Sequence, residues 1–265
     1  SRIQNFNHLK IHSQFSICEG AIKIDELKDF SKENKIKSVG LCDTSNLCGA
    51  LEFAEKISKV GTQPIIGTQI NFKLGETTGL LPLYALNEEG YKRIIELSSL
   101  SYLDNNEISD PHLNFEELLN KNDGIALFSG TINGFFGRLF NKGKFEEIKD
   151  LYSKLRSKYK DTFYIEIQRH GDINESLFEK FNLAKSLELE IPLIATNEVF
   201  YINKNMHEAH DALICIKNKT YINEKNRIKF SNQHFFKKND ELIKLFSDIP
   251  EALENNYNFH LRFNF

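Results

Sequence analysis

Cysteine is scarce: the 265 residues hold four, Cys18, Cys42, Cys48 and Cys215, with no Cys-x-x-Cys pair and no regular spacing. This excludes a disulfide scaffold and a zinc ribbon, and it fits a reducing, cytoplasmic setting. No apolar run is long enough to span a bilayer, and Ser1 to His8 contain no apolar stretch of signal-peptide type, so no membrane partner is expected. A strong charge of either sign is also missing. With 34 basic and 37 acidic residues the net charge is −3, which excludes a surface that is wholly a nucleic-acid footprint but leaves room for a local basic patch. The chain has no initiator methionine, Met206 being its sole methionine, and it stops at Phe265 directly after a helical pattern. It reads as a piece of a longer protein. What is present, 40% hydrophobic and 27% charged residues, is globular composition, and the length suits a single α/β barrel.

Seven short apolar runs bounded by turn residues predict strands at Phe6–Ile11, Ile36–Leu41, Pro64–Phe72, Leu80–Leu86, Gly124–Phe128, Thr162–Gln168 and Ile191–Thr196. Helix-period segments separate most of them. Phe145, Ile148, Leu151, Tyr152 and Leu155 share one helical face, and Leu177, Phe178, Phe181, Ala184 and Leu187 share another. Asn114 with Glu117 has the form of a capping box, and Asn87 is placed to cap a helix through Tyr91, Ile94 and Ile95. The short link with Gly75 and Gly79 predicts a hairpin between the third and fourth strands. The alternation predicts an α/β fold, a distorted seven-stranded βα barrel of TIM-like type over residues 1–220. Residues 221–265 form a C-terminal helical extension of the same domain, with helices at Asp240–Phe246 and Pro250–His260.

In a parallel barrel the segments that follow the strands build the site. They carry His12, Asp43 and Thr44, Gln69, Ser129 to Thr131, Glu166, Gln168 and His170, and Asn197 with Glu198. Strand ends must turn polar as they leave a core, so this pattern by itself is equally compatible with an ordinary barrel rim.

Eight ordered blocks narrow the choice: His8-Leu-Lys-Ile-His-Ser-Gln-Phe-Ser16, Leu41-Cys-Asp-Thr-Ser-Asn-Leu-Cys-Gly49, Pro64-Ile-Ile-Gly67, Asn87-Glu-Glu-Gly-Tyr91, Glu166-Ile-Gln-Arg-His-Gly171, Ala195-Thr-Asn-Glu-Val-Phe-Tyr201, His210-Asp211 and Asp248-Ile-Pro-Glu-Ala252. Together they resemble the N-terminal polymerase-and-histidinol-phosphatase (PHP) domain of bacterial DNA polymerase III alpha subunits, over nearly the whole chain. The resemblance implies the distorted barrel, with a cleft at the strand ends in which metal-binding members hold up to three divalent ions through a His-x-His pair, carboxylates and further histidines.

Against that pattern the chain keeps His12 but has Lys10 as its partner. Thr44 follows Asp43 where a histidine is implied, Gln69 replaces a glutamate, a histidine position falls near Leu80, and Glu198-Val-Phe200 replaces Asp-x-His. The cleft is therefore read as vestigial: Lys10, His12, Glu19, Asp43, Thr44, Gln69, His170, Glu198 and Phe200, with His12, Glu19, Asp43, His170 and Glu198 as the donors left for a residual ion. No cofactor is expected, Zn²⁺, Mn²⁺ or Mg²⁺ entering only if the cleft were active. Lys10 is expected to pair with Glu19, Asp43 or Glu198, because carboxylates facing a metal-free cleft repel one another. His207 and His210 lie three apart without a third ligand and read as a surface or capping pair, and His8 is expected to pack at the first strand.

From Cys215 to Lys238 seven basic residues, Lys217, Lys219, Lys225, Arg227, Lys229, Lys237 and Lys238, face the single acid Glu224, which suggests a basic docking surface as an alternative to a solvated loop. Leu261, Phe263 and Phe265 form an apolar tail that needs cover. The resemblance implies a scaffold of a replicative DNA polymerase that docks its proofreading exonuclease subunit, with the remaining polymerase domains as further partners and DNA reached through the parent assembly. The alternative is a metal-dependent 3′–5′ exonuclease or phosphoesterase acting in cis. A free-standing phosphatase fits the blocks at Asn87 and Asp248 less well.

Overall fold

The computed structural model describes residues 5–16, 20–103, 111–120, 122–217 and 232–263, without the side chains of 216 and 217. Its strands are β1 (His8–Ile11), β2 (Ser38–Thr44), β3 (Gln63–Leu74), β4 (Thr77–Ala85), β5 (Leu113–Asn114), β6 (Ile125–Phe128), β7 (Phe163–Ile167), β8 (Leu193–Ala195) and β9 (Glu198–Val199). The α-helices are α1 (Ile24–Glu33), α2 (Ala50–Lys59), α3 (Glu88–Leu103), α4 (Glu116–Asn120), α5 (Phe135–Asn141), α6 (Phe145–Tyr159), α7 (Glu175–Leu189), α8 (His207–Lys217), α9 (Asn239–Leu245) and α10 (Pro250–Phe259). Among the described residues no helix is long and apolar enough to cross a membrane.

The strands form one mixed sheet in the order β8-β7-β6-β4-β3-β2-β1-β9, with β5 added to β3. The expected hairpin is β3–β4, antiparallel about a turn in which Gly75 takes a φ of 61°. β4 also runs antiparallel to β6, and the remaining pairs are parallel. β8 and β9 end opposite edges of the path, yet only Thr196 and Asn197 separate them in the chain. A sheet whose two edges are joined by two residues must curl round on itself, and it does so as a barrel-like shell. The segment expected as a seventh strand stops at Ala195, and a separate β9 pairs with β1. β5, only two residues long, carried no periodicity by which to find it.

The inside of the shell is filled by Leu9, Cys42, Ile65, Tyr84, Ala126, Phe128, Tyr164 and Ile194, side chains from β1, β2, β3, β4, β6, β7 and β8 in one cluster. Gly67 faces Tyr84 across the hairpin, where a β-carbon would lie 2.6 Å from the tyrosine ring. Phe259 of α10 plugs this cluster, its ring 5.2–5.7 Å from those of Tyr84, Phe128 and Tyr164. Asn256, one turn earlier, donates to the carbonyls of Asn7 and Ala195 at 2.9 Å and accepts from the Asn7 amide at 2.8 Å. The described C-terminal segment is thus wired into the same core as the first strand. Phe263, expected to be exposed, packs on Phe259 at 5.2 Å; Leu261 is exposed, and Phe265 lies outside the described residues.

Helices cover the outside. Asn87 accepts the Gly90 amide at 2.8 Å at the start of α3, as its capping role requires. Asn114 instead sits in β5, and α4 begins at Glu116. Helix α6 buries Ile148, Leu151, Tyr152 and Leu155 as expected, with Phe145 largely exposed. Helix α7 is rotated from expectation: Phe178 is buried and Phe181 packs on the core as expected, but Asn182 and Ser186 take the other buried positions, while Leu177, Ala184 and Leu187 are exposed. The rotation is made less costly because Tyr152 donates to Asn182 Oδ1 at 2.8 Å and Ser186 donates to the Ile191 carbonyl at 2.6 Å, although Asn182 Nδ2 is left without a hydrogen-bond partner.

Candidate functional site

The site is organised by an irregularity in β1. His8 pairs with Val39 and Ile11 with Leu41, so three steps along β1 match two along β2, and one extra residue is accommodated as a bulge. Gly40 makes room for it, since a β-carbon there would lie 2.8 Å from the Leu9 Cα. Leu9 joins the inner apolar cluster, while the next residue, Lys10, sends its ammonium to Glu166 of β7 at 3.1 Å. Both side chains are almost wholly inaccessible.

The same Glu166 oxygen, Oε2, accepts from Gln168 Nε2 at 2.9 Å and from the Thr196 hydroxyl, while Oε1 has no hydrogen-bond partner. Glu198 is the register neighbour of Lys10 on β9. Burial alone would lower the Lys10 pKa, but the fields of Glu166 and Glu198 more than reverse it, so the ammonium stays charged. Burial likewise works to raise Glu198, and Lys10 and His12 hold it well below the usual carboxylate range. Burial pushes the neighbouring Cys42 thiol up, leaving it protonated.

His12 Nε2 lies 2.8 Å from Glu198 Oε1, and its Nδ1 lies 3.1 Å from the Ser16 hydroxyl. Ser16 accepts the Thr44 amide at 2.9 Å, and Gln69 donates to the Thr44 hydroxyl at 2.9 Å. One polar layer therefore runs from Glu198 through His12, Ser16 and Thr44 to Gln69. Asp43 is engaged by Ser13, whose amide and hydroxyl each donate at 2.6 Å. The Glu198 amide donates to His170 Nε2 at 3.2 Å, which places the His170 proton on Nδ1, an atom without a partner. Burial, His234 and Lys237 push His170 well below the ordinary histidine range, so it is neutral. Its ring stacks on His234 at 4.2 Å, and Phe200 stacks on His12 at 4.5 Å.

The structure thus brings Lys10, His12, His170, Glu198 and Phe200 together and links Thr44 and Gln69 to them; Glu19 lies outside the described residues. The expected partner of Lys10 is corrected: the contact is with Glu166, not Asp43, with Glu198 beside it. A charged residue between Ile165 and Ile167 in an apolar strand was the available signal, although it did not name its partner. His234 carried no signal at all. Of the basic segment, Lys237 is not a surface residue: it is buried and donates to Asn197 Oδ1 at 3.1 Å and the Gln233 carbonyl at 2.7 Å. Lys238 is exposed, and Lys219, Lys225, Arg227 and Lys229, like the Lys217 side chain, lie outside the described residues.

The donors present do not fit a multinuclear metal centre. An ammonium occupies the position between Glu166 and Glu198, Phe200 offers no lone pair, and Thr44 and Gln69 are neutral and bonded to each other. Among the described residues no group of three or more His, Cys, Asp or Glu side chains is placed to hold a metal ion.

The mixed, curled α/β sheet defines a fold that this chain shares with an amidohydrolase from Chromobacterium violaceum, which superposes with a TM-score of 0.50 at 11% identity, covering 73% of this chain and 87% of that one. Residues 8–170 match the PHP domain, and the chain belongs to that family. It is 36% identical over 260 residues to the DNA polymerase III subunit alpha of Caulobacter vibrioides, covering 95% of this chain and 23% of that protein. The corresponding subunits of Borreliella burgdorferi and Helicobacter pylori are 32% and 33% identical, each over 94% of this chain and 23% and 22% of the relative. The chain therefore spans about a fifth of the length of the relatives it matches.

Proposed function

We propose that this chain is the PHP domain of a bacterial replicative DNA polymerase alpha subunit and that it serves there as a metal-free structural platform. The observation that carries the metal-free reading is the buried Lys10–Glu166 pair: a fixed cation within the protein does the electrostatic work that metal ions do in active relatives, and it does no chemistry. On this reading β8 and β9 are one interrupted strand of a distorted seven-stranded barrel, residues 1–220 are the barrel, and 221–265 lead towards the polymerase region. Polymerisation belongs to the remaining domains, with DNA reached through the assembly in the cytoplasm. The proofreading exonuclease subunit is the partner to test.

Titrating the purified protein with the exonuclease subunit and with duplex DNA, at about 150 mM salt, tests the platform reading. Exonuclease binding with only weak, salt-sensitive DNA binding is expected. Sub-micromolar DNA binding without exonuclease binding would make this a nucleic-acid module instead. Nuclease activity supported by added Mn²⁺ would favour the enzymatic alternative. Restoring donors with Lys10→His, Thr44→His, Gln69→Glu and Phe200→His together should create measurable Zn²⁺ affinity; a quadruple variant that folds but stays metal-free would mean that the backbone has also drifted.

A further inference from the structure

Helix α7 splits the apolar face that its spacing predicts. Phe178 turns inward beside Asn182 and Ser186, and Phe181 packs sideways against Phe145 of α6, the two rings 5.7 Å apart. Leu177, Ala184 and Leu187 face solvent, with Leu177 58% and Leu187 85% exposed. Ile173, just ahead of the helix, is 87% exposed, and Phe145 is 46% exposed. Four of the ten large hydrophobic side chains exposed among the described residues therefore belong to α7, its lead-in and the adjoining end of α6, a concentration unlike the single, scattered apolar residues of an ordinary surface.

The exposed residues Leu177, Lys180, Ala184 and Leu187 are three, four and three positions apart, so they form one line along the outer side of α7, opposite Phe178, Asn182 and Ser186. Such a line is the seam by which one helix packs on another at a crossing angle of about 20°. Leu177 and Leu187 offer large contacts, and the small Ala184 between them lets a second backbone come close. Lys180 adds charge to the seam. The other charged side chains of α7 are engaged: Glu175 accepts the His170 and Gly171 amides, Glu179 pairs with Arg169, and Glu188 pairs with Lys149 and Lys185. Lys180 has no ion-pair partner among the described residues. What fits the seam is an apolar helix with a carboxylate opposite Lys180.

The relatives supply the length from which such a helix could come, since this chain covers 23% of the Caulobacter vibrioides subunit. The described C-terminal segment also lies close by. Arg262 pairs with Asp161 at 3.4 Å, directly after α6, and Lys149 of α6 meets Glu188 of α7 at 2.7 Å. One helix diameter, about 10–12 Å, is spanned by roughly four extended residues. We propose that the outer face of α7 is where the polymerase region of the same polypeptide packs, through a helix whose apolar side chains meet Leu177, Ala184 and Leu187 and whose carboxylate meets Lys180. This rests on the platform reading and gives the platform a surface; the strand-end cleft takes no part in it.

Photo-crosslinking in the full-length polymerase chain tests it, with p-benzoylphenylalanine placed at position 177 or 187 and, as a control, at position 51, where Leu51 of α2 is 74% exposed. Cross-links from 177 and 187 to one helical peptide of the polymerase region in the same chain are expected, and none from 51 to that peptide. Lys180→Glu should lower the cross-link yield by about fivefold or more, because it sets like charges against each other, while Lys180→Arg should leave it unchanged. Leu177→Glu with Leu187→Glu should speed protease cleavage between the domain and the polymerase region by about tenfold, with the barrel still folded because both side chains are exposed. The proposal is overturned if 177 and 187 give no cross-link to the polymerase region, or if the double variant is cleaved no faster than the parent. Cross-links only to a second copy or to the exonuclease subunit would also overturn it, yet leave standing the platform reading, which the exonuclease titration judges separately.

Discussion

The two ends of the sheet treat charge in opposite ways. At the C-terminal ends of the strands, Lys10 meets Glu166, His12 meets Glu198 and Lys237 meets Asn197, all within a few residues of buried apolar core. At the N-terminal ends of β1 and β2, three exposed lysines line a cavity whose described lining residues include no acid, and the buried His8 Nδ1 has no hydrogen-bond partner. The first end pairs its charges within the protein, although Glu166 Oε1 and His170 Nδ1 keep no hydrogen-bond partner; the second leaves its lysines exposed around a cavity. The sequence resemblance therefore points to the end of this molecule whose charges are paired within the protein.

The largest expected effect comes from breaking the paired end. Lys10→Met leaves Glu166 buried without its cation and should lower stability by about 3 kcal/mol, read as the urea midpoint. Adding Glu166→Leu should recover most of that loss, because removing both charges abolishes the desolvation cost as well as the attraction. If the double variant is no more stable than Lys10→Met, the pair is not the unit of stabilisation.

Arg169 sharpens the comparison from the rim of the same end. Its guanidinium contacts Glu179 at 2.7 and 3.0 Å, Asp248 at 2.6 and 2.9 Å and the Leu245 carbonyl at 2.7 Å, tying β7 and α7 to the segment between α9 and α10. Arg169→Lys cannot reproduce this fork and should cost about 2 kcal/mol, partial exposure keeping it below the Lys10 effect. Faster amide exchange in α9 and α10 than in β2 should accompany it; unchanged exchange there would remove the latch from the account.

The other end should show itself through pH. Burial lowers the His8 pKa from 6.5 to about 3, despite the bond to the Lys237 carbonyl. Between those values the unfolded chain holds a proton that the folded protein refuses, so stability falls as pH falls, by about 1.4 kcal/mol per unit. Glu175 opposes this. Its burial raises it to about 7, so its contribution declines as pH rises from 4.5 to 7. Subtracting the profile of His8→Leu from that of the parent isolates the histidine, and the difference should shrink steadily from pH 6.5 towards pH 4. A flat difference would mean that His8 is protonated in the folded state, contrary to the effect of its burial.

Much of the fold is legible because its signals are local: apolar runs for β2, β3 and β4, the Gly75 turn, the Asn87 cap and the face of α6. What escaped depends on distant partners. Lys10 and Glu166 are 156 positions apart, and only the bulge opposite Gly40 turns the lysine towards the glutamate. Helix α7 was assigned its face by apolar spacing, but the bonds from Tyr152 to Asn182 and from Ser186 to the Ile191 carbonyl offset part of the cost of burying those two residues. The candidate site was legible as a set of residues, with Lys10, Thr44, Gln69 and Phe200 among the positions the resemblance singled out. Its actual wiring, including His234 against His170, was not, because no spacing rule encodes contacts between a strand end and a segment some 60 residues later.

The central claim, that an internal ammonium has replaced the metal centre, is tested most directly by elemental analysis of the purified protein after loading with Zn²⁺ and Mn²⁺ and removal of free metal by gel filtration. The account predicts metal well below one equivalent per chain, unchanged in Glu198→Gln. One or more retained ions per chain, lost in Glu198→Gln, would contradict it.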